Sequence, residues 1–153
     1  MSESCCSVTA ADRGDSRCPA SGFEGKPVDW TTVAALTSSP LPARQGFRLC
    51  RDPNCEIVYY GSAETVLFTR DLNVQPGFKN GGDGLVCYCF LHRKADIAAQ
   101  LSETGETDIF ESVKQEVQAG NCACEVRNPS GKCCLEDVQK TIRRLEKELR
   151  VTA

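Results

Sequence analysis

Cysteine is the residue type in this chain most able to do chemistry, and the sequence contains 11 cysteines. Six of them lie in two close groups, the segment Cys87-Tyr88-Cys89 and the segment CACEVRNPSGKCC at 122–134. Cysteine thiolates at such short spacings bind zinc or iron–sulfur clusters. Because an odd number of cysteines cannot all pair with one another, a disulfide framework is the less favoured interpretation. We therefore interpret the cysteines as metal ligands.

The start of the chain agrees with a reducing compartment. Residues 1–17 lack the basic start and apolar stretch of a secretory signal. No apolar run reaches the ~18 residues that a membrane span needs. We therefore expect a cytoplasmic protein with no membrane insertion, in which thiols stay reduced. The net charge of −3 provides no basic field for phosphate backbones, which argues against nucleic acid as a partner.

The N-terminal half is predicted to be a small β module behind a flexible arm. The arm spans residues 1–17 and the module spans 18–80. Three segments rich in β-branched and aromatic residues, separated by turn-forming residues, predict an antiparallel β-meander. These segments are 46–50, 55–60 and 64–70. The short apolar run 31–36 is compatible with either a strand or a helical turn.

The C-terminal half, 81–153, is predicted to be mainly helical. The glycine-rich segment 71–84 lacks periodicity and is interpreted as the linker between the halves. Apolar spacing predicts helices around 97–101 and 109–117, and a longer helix over 135–149. The last helix carries an apolar stripe, which we expect to pack on its own domain. A coiled-coil dimer seam is the alternative, but two heptads are short for one.

These elements place several cysteines at the starts of helices. Cys87 and Cys89 precede the first helix, and Cys124, Cys133 and Cys134 lie in the loop before the last one. An all-thiolate [2Fe–2S] cluster is anionic, and the backbone N–H groups and positive dipole end at a helix start stabilise negative charge. Spacing alone leaves zinc as a second possibility, because both metals accept tetrahedral thiolate sites.

The sequence resembles the CopZ N-terminal family along most of its length. The stretch VCYCF, a spacer of about thirty residues, and the stretch AGNCACEVRNPSGKCCLEDV resemble its [2Fe–2S] domain, which is related to bacterioferritin-associated ferredoxins. The stretches CPASGFEGKPV and LCRDPNCEIVYY resemble its zinc-binding module. The resemblance, which covers about residues 18 to 140, implies an α+β fold. In that fold a zinc-binding β-meander module precedes a mainly helical, bacterioferritin-associated-ferredoxin-like [2Fe–2S] domain.

The resemblance also implies the cluster ligands. They match the C-x-C pair of the family, the cysteine before Glu-Val and the second cysteine of the final doublet. The implied ligands are Cys87, Cys89, Cys124 and Cys134. Two neighbouring cysteines compete for these roles, because a slip in the loop would present Cys133 instead of Cys134, or Cys122 instead of Cys124.

For zinc, the family pattern is a CPxC turn followed by a C-x4-C segment. The matching cysteines are Cys18, Cys50 and Cys55. The second cysteine of the turn is replaced here by Ser21, and serine is not a usual ligand of structural Zn²⁺. We therefore expect a fourth donor from the N-terminal arm, either Cys5 or Cys6. The alternative is that both are free thiols on the arm, with no role in the zinc site.

The resemblance implies a metallochaperone-like or redox protein of copper or heavy-metal homeostasis, and not an enzyme. Its [2Fe–2S] cluster would serve one-electron transfer or the reduction of a metal ion such as Cu(II). The implied partner is a copper or heavy-metal transport protein, or a heavy-metal-associated domain of the kind that full-length relatives carry. The C-x-x-C motif of such a domain does not occur in this sequence, and no Ser/His/Asp set or phosphate loop is evident.

Two further functions compete with this interpretation. Spare cysteines such as Cys122 and Cys133 predict a direct Cu(I) carrier, because soft thiolates favour Cu(I). A structural adaptor with zinc in both sites, and with a partner docked on the last helix, needs no redox activity. The single histidine, His92, lies beside Arg93 and Lys94 and is predicted to be an exposed side chain with no role in a site.

Overall fold

The computed structural model describes residues 16–41, 44–61, 65–80 and 84–152, and over these residues the chain is α+β, as predicted. The strands are β1 (Lys26–Val28), β2 (Phe47–Leu49), β3 (Ile57–Gly61), β4 (Val66–Phe68), β5 (Leu85–Cys87) and β6 (His92–Arg93). The helices are α1 (Trp30–Leu36), α2 (Lys94–Thr104), α3 (Ile109–Gln118), α4 (Cys124–Arg127) and α5 (Leu135–Thr152). All but the last two residues of the predicted arm at 1–17 lie outside the described ranges.

The first four strands form an antiparallel sheet in the order β1-β2-β3-β4. Strands β2, β3 and β4 are the predicted meander. Strand β1 was not predicted, because it is three residues long and has Pro27 at its centre. Proline is tolerated in an edge strand, which is the position of β1. The sheet therefore gains one edge strand over the sequence prediction.

The central strand β3 is buried on both sides and so separates two apolar clusters. Val58 and Tyr59 belong to the main core of the N-terminal half, which includes residues of α1. Ile57 and Tyr60 pack with Cys18 and Cys50 in a second, smaller cluster. The strand thereby provides an apolar support beneath two of the predicted zinc ligands.

The apolar run at 31–36 forms helix α1 and not a strand. Asp29 is the N-cap of this helix, and its side chain accepts a hydrogen bond from the backbone N–H of Thr31 at 3.3 Å. An aspartate at this position satisfies a backbone donor that would otherwise have no partner, which favours a helix start. Val33 and Leu36 are then buried against the sheet.

The predicted linker contains no helix or strand between Leu72 and Asn80, in agreement with its glycine content. It is nevertheless packed against the N-terminal half, because Pro76 is fully buried and Lys79 is only 4% exposed. Gly77 approaches the backbone of Leu85 so closely that a Cβ atom would lie 2.0 Å from the Leu85 carbonyl oxygen. The segment is therefore a fixed part of the structure and not a free spacer.

The C-terminal half consists of the β5–β6 hairpin and four helices. The hairpin was not predicted: Cys87 ends β5 and Cys89 lies in the hairpin turn, so that β6 separates both from α2. The single turn α4 at Cys124 was not predicted either. Helix α5 contacts α2, α3 and β5. Its apolar stripe, including Val138 and Leu145, is buried in the core of this half. The stripe therefore packs within its own half, as expected, and is not available to form a coiled-coil seam.

The two halves meet at the loop between Cys124 and Cys134. The hydroxyl of Tyr59 on β3 donates to the carbonyl of Pro129, and both residues are buried. The hydroxyl of Thr32 on α1 donates to the carbonyl of Glu125 at 2.6 Å. Hydroxyl groups of the N-terminal half therefore hold a loop that carries two predicted cluster ligands at its ends.

Candidate metal centres

Cys18, Cys50 and Cys55 meet at one end of the N-terminal sheet. Their sulfur atoms all lie within 4.8 Å of one another, and the Cys18 and Cys55 sulfurs are 3.8 Å apart. Two thiolates bound at about 2.3 Å to a tetrahedral Zn²⁺ are about 3.8 Å apart, so this spacing fits such an ion. Cys18 and Cys50 are buried and Cys55 is half-buried, which leaves the Cys55 side nearest to solvent.

The first of these ligands lies in a tight turn that the sequence encodes locally. The backbone N–H of Cys18 donates to the carbonyl of Phe23 at 2.8 Å, and the N–H of Gly22 donates to the carbonyl of Cys18 at 2.9 Å. Gly22 has φ +76°, a conformation that glycine adopts without strain. The turn thus fixes the direction of the Cys18 side chain before any metal binds.

The second and third ligands flank another turn. The Asp52 side chain accepts the backbone N–H of Asn54 at 3.0 Å, and the N–H of Cys55 donates to the carbonyl of Asp52 at 3.2 Å. The buried ammonium of Lys79 donates to the carbonyls of Asp52 and Ile57, each at 2.8 Å. Lys79 therefore ties both sides of Cys55 to the segment that sequence analysis interpreted as a linker.

Ser21, which replaces the expected fourth cysteine, lies beside the three sulfurs. Its hydroxyl oxygen is 3.4 Å from the Cys50 sulfur and accepts the backbone N–H of Phe23 at 3.2 Å. Burial raises the pKa of the Cys18 thiol, but hydrogen bonds from the Ser21 side chain and from the turn backbone outweigh it, so this pKa lies below its usual range. Burial raises the pKa of Cys55. The serine thus lies at the edge of the three-cysteine site, at the position where the family pattern has a cysteine.

The predicted fourth zinc donors, Cys5 and Cys6, lie outside the described residues. Their role in closing the zinc site stays a prediction.

A second set of cysteines meets in the C-terminal half. Cys87 and Cys134 have sulfurs 3.2 Å apart, Cys89 and Cys124 have sulfurs 3.4 Å apart, and a 3.7 Å contact between Cys124 and Cys134 joins the two pairs. Strand β5, the hairpin turn, helix α4 and the start of α5 supply one ligand each. An all-cysteine [2Fe–2S] cluster needs four thiolates, two for each iron, and the donor set fits that requirement.

Backbone groups around these four sulfurs favour negative charge. The N–H of Ala123 donates to the Cys89 sulfur at 3.2 Å. Cys134 immediately precedes α5, and its carbonyl accepts the N–H of Val138 at 2.9 Å, which places the cysteine at the helix start. The positive end of the α5 dipole therefore lies next to Cys134. Such backbone contacts are typical of sites that hold anionic clusters.

Mutual hydrogen bonding spreads the pKa values of the four thiols. Hydrogen bonding with Cys134 lowers the pKa of Cys87 to about 7 and that of Cys124 to about 6. Burial raises the pKa of Cys89 to about 11, and hydrogen bonding with Cys124 and Cys87 raises the pKa of Cys134. The thiolate is the form that binds metals, and these hydrogen bonds favour it at Cys87 and Cys124.

A profile of the family described as "Zinc binding domain" matches residues 15–73 of the chain. A protein of Archaeoglobus fulgidus named "Copper chaperone CopZ" is 33% identical over 122 residues, which are 77% of this chain. The X-ray structure of the CopZ N-terminal domain from the same organism matches with a TM-score of 0.65 and 28% identity, covering 81% of this chain and 95% of that domain. This chain belongs to the CopZ N-terminal domain family.

The zinc-binding profile of the family matches the N-terminal half of the chain. The three-cysteine site falls inside the segment matched by the zinc-binding profile. The chain spans 57% of the length of the Archaeoglobus copper chaperone that it matches. Among the described residues, no helix combines the length and the apolar character needed to cross a membrane.

Two further cysteines of this CopZ-family chain lie beside the second set. In the sequence analysis they are the alternative candidates for two of its ligand positions. Cys133 is exposed, whereas its neighbour Cys134 is fully buried. Cys122 is half-buried, whereas Cys124 is buried and contacts the sulfurs of both Cys89 and Cys134. These positions favour Cys124 and Cys134 as ligands and leave two thiols near the surface of the site.

Sequence reasoning missed three side chains that support the sites. Lys79 was assigned to a linker, and Tyr59 and Thr32 were treated as ordinary residues of the β module. No local pattern identifies them, because each acts on a backbone carbonyl far away in the sequence. The one signal in the sequence was Lys79 itself, because it is a charged residue in a glycine-rich segment that was not expected to pack.

Proposed function

We propose that this protein handles metal ions in copper homeostasis, with Zn²⁺ in its N-terminal half and a [2Fe–2S] cluster in its C-terminal half. It is a metallochaperone-like redox protein of the cytoplasm and not a conventional enzyme. The Archaeoglobus relative that supports this proposal is named as a copper chaperone. This chain spans 57% of the length of that relative, so its own role with copper is tested by the Cu(I)-binding experiment below.

The observation that carries the cluster assignment is the pairing of four sulfurs from four separate elements. Cys87 with Cys134, and Cys89 with Cys124, form two pairs in contact distance. The pairs lie against the core of the C-terminal half, so the ligand positions are set by packing and not by a flexible loop. We therefore propose these four cysteines as the cluster ligands.

A [2Fe–2S] cluster held there supplies one-electron transfer, the chemistry that reduces Cu(II) to Cu(I) when a redox partner provides the electron. On the hairpin turn Cys89 and Phe90 are half-buried and Leu91 is exposed, which brings this side of the site close to the surface. The N–H of Ala123 and the start of α5 stabilise the added negative charge. The three-cysteine zinc site keeps the first half rigid.

Electron paramagnetic resonance of anaerobically purified protein tests the proposal. We expect a red-brown protein that is silent when oxidised and gives a signal after reduction by one electron. A colourless protein with zinc in both sites would instead support a structural adaptor, with a partner docked on α5. Such a result would contradict the redox role.

A second candidate function is direct Cu(I) carriage, favoured by the two spare thiols. Cys133 is exposed and Cys122 is half-buried beside the cluster ligands. Soft thiolates prefer Cu(I), so the pair would bind it without disturbing the four ligands. We expect the double variant Cys122→Ser with Cys133→Ser to lose Cu(I) binding while it keeps its iron. Unchanged Cu(I) affinity in that variant would remove this candidate.

The partner that fits either function is a copper or heavy-metal transport protein, or a heavy-metal-associated domain. Both would exchange Cu(I) with cysteine thiolates, which requires ligands of matched softness on the two sides.

A further inference from the structure

The fourth corner of the three-cysteine site holds a weak donor. Ser21 places its hydroxyl oxygen 3.4 Å from the Cys50 sulfur, where the family pattern has a cysteine. A neutral hydroxyl is not among the usual ligands of structural Zn²⁺, which are thiolate, imidazole and carboxylate. A zinc ion bound by the three cysteines therefore has three strong ligands. Its fourth coordination position is open to other donors.

That corner borders a cavity. The cavity has a volume of about 330 Å³ and is lined by Ser21 and Cys55 on the side of the site. Its remaining walls include Asp52, Glu56 and the apolar side chains of Ile57 and Phe68. Because a water molecule occupies about 30 Å³ in the liquid, the cavity has room for a small organic ligand as well as for water. Cavities at the low end of the usual ligand-site range have this size.

We propose that zinc bound to Cys18, Cys50 and Cys55 keeps an exchangeable fourth coordination position that faces this cavity, and that the position accepts a small neutral nitrogen donor of the imidazole type. The inference rests on the proposed zinc site. Four cysteine ligands would give the zinc a purely structural role. With an exchangeable position, the zinc can also bind a ligand from outside the chain.

Charge selects the class of ligand. Zn²⁺ with three thiolates carries a single net negative charge, and the carboxylates of Asp52 and Glu56 line the same cavity. A further thiolate or carboxylate would add negative charge to this group, whereas imidazole is a neutral ligand that zinc accepts readily. The chain's single histidine, His92, lies on β6 beside the other cysteine set, so the imidazole comes from outside the chain.

X-ray absorption at the zinc edge tests the inference on the full chain, because it reports zinc ligands without interference from an iron cluster. We expect a first shell of three sulfurs at about 2.3 Å and one nitrogen or oxygen at about 2.0 Å. Addition of imidazole as the probe is expected to introduce the outer-shell scattering of its ring. The variant Ser21→Cys is the matched control: it should show four sulfurs and no response to imidazole.

Two variants separate the possible outcomes. Ser21→Ala should keep the three-sulfur shell and the response to imidazole, even if Ser21→Cys proves difficult to fold. Cys5→Ser with Cys6→Ser should leave the zinc shell unchanged. Four sulfurs in the unmodified protein, reduced to three by that double variant, would show that the N-terminal arm closes the site and would overturn the inference.

A three-sulfur shell that does not respond to imidazole would also overturn it, while leaving the zinc site itself in place. The zinc content of the same sample distinguishes this failure from that of the proposed function. A protein that retains no zinc contradicts the zinc site, and with it the exchangeable position.

Discussion

Burial distinguishes the two cysteines of the final doublet. Cys134 is fully buried and touches the sulfurs of Cys87 and Cys124, whereas Cys133, one residue earlier, is exposed. Sequence spacing could not decide between them, because a slip of one residue in the loop keeps the pattern. In the structure the cysteine directly before α5 is buried and the one before it is exposed, which supports the proposal that Cys134 is the ligand.

The doublet gives a direct test of the cluster ligands. We expect Cys134→Ser to lose most of its iron and its visible colour, because a serine replaces one of four thiolate ligands. Cys133→Ser is the matched control and should keep both, since its side chain is exposed. Iron content after anaerobic purification measures the difference. Loss of iron in Cys133→Ser with retention in Cys134→Ser would reverse the assignment.

At the scale of elements, the sequence predicted the meander and the three longer helices. It placed Cys87 just before a helix and Cys124 in a loop, whereas Cys87 ends β5 and Cys124 begins α4. It did not predict β1, the β5–β6 hairpin or the single turn α4, each of which has four residues or fewer per segment. Such short elements carry no periodicity, and β1 in addition pairs with a strand that is distant in the sequence. The interpretation of 71–84 as a linker missed the buried Lys79 for the same reason.

Lys79 connects this segment to the zinc turn, which leads to a testable effect on stability. In Lys79→Met the carbonyls of Asp52 and Ile57 lose their donor, and a buried acceptor without a partner costs about 1–3 kcal/mol. We therefore expect a lower free energy of unfolding and faster removal of zinc by a chelator. Lys114→Met, on the exposed side of α3, is the control. Equal chelation rates in the two variants would contradict a role of Lys79 in holding the turn.

At the scale of the whole molecule, the N-terminal half holds the loop that carries two cluster ligands. Gly131 in this loop has φ +72°, and a Cβ atom there would lie 2.7 Å from the Thr32 hydroxyl oxygen on α1. Gly105, at the end of α2, has φ +78° with nothing within 4 Å of the same position. The two glycines thus differ in their neighbours and not in their backbone conformation.

This pair measures the contact between the halves. Gly105→Ala should lower the free energy of unfolding by only about 1 kcal/mol, which is the backbone strain of an L-residue in the left-handed region. Gly131→Ala should cost more than that, because it also displaces Thr32 from the Glu125 carbonyl. Urea denaturation of both variants gives the difference in the free energy of unfolding. Equal losses would mean that the loop does not depend on α1.

The central claim is that one chain holds zinc in its first half and an iron–sulfur cluster in its second. Its most direct test is the analysis of iron, zinc and acid-labile sulfide in protein purified without oxygen. We predict iron and sulfide in equal amounts, as in a [2Fe–2S] cluster, together with zinc in the same sample. Zinc without iron or sulfide in freshly purified protein would contradict the account.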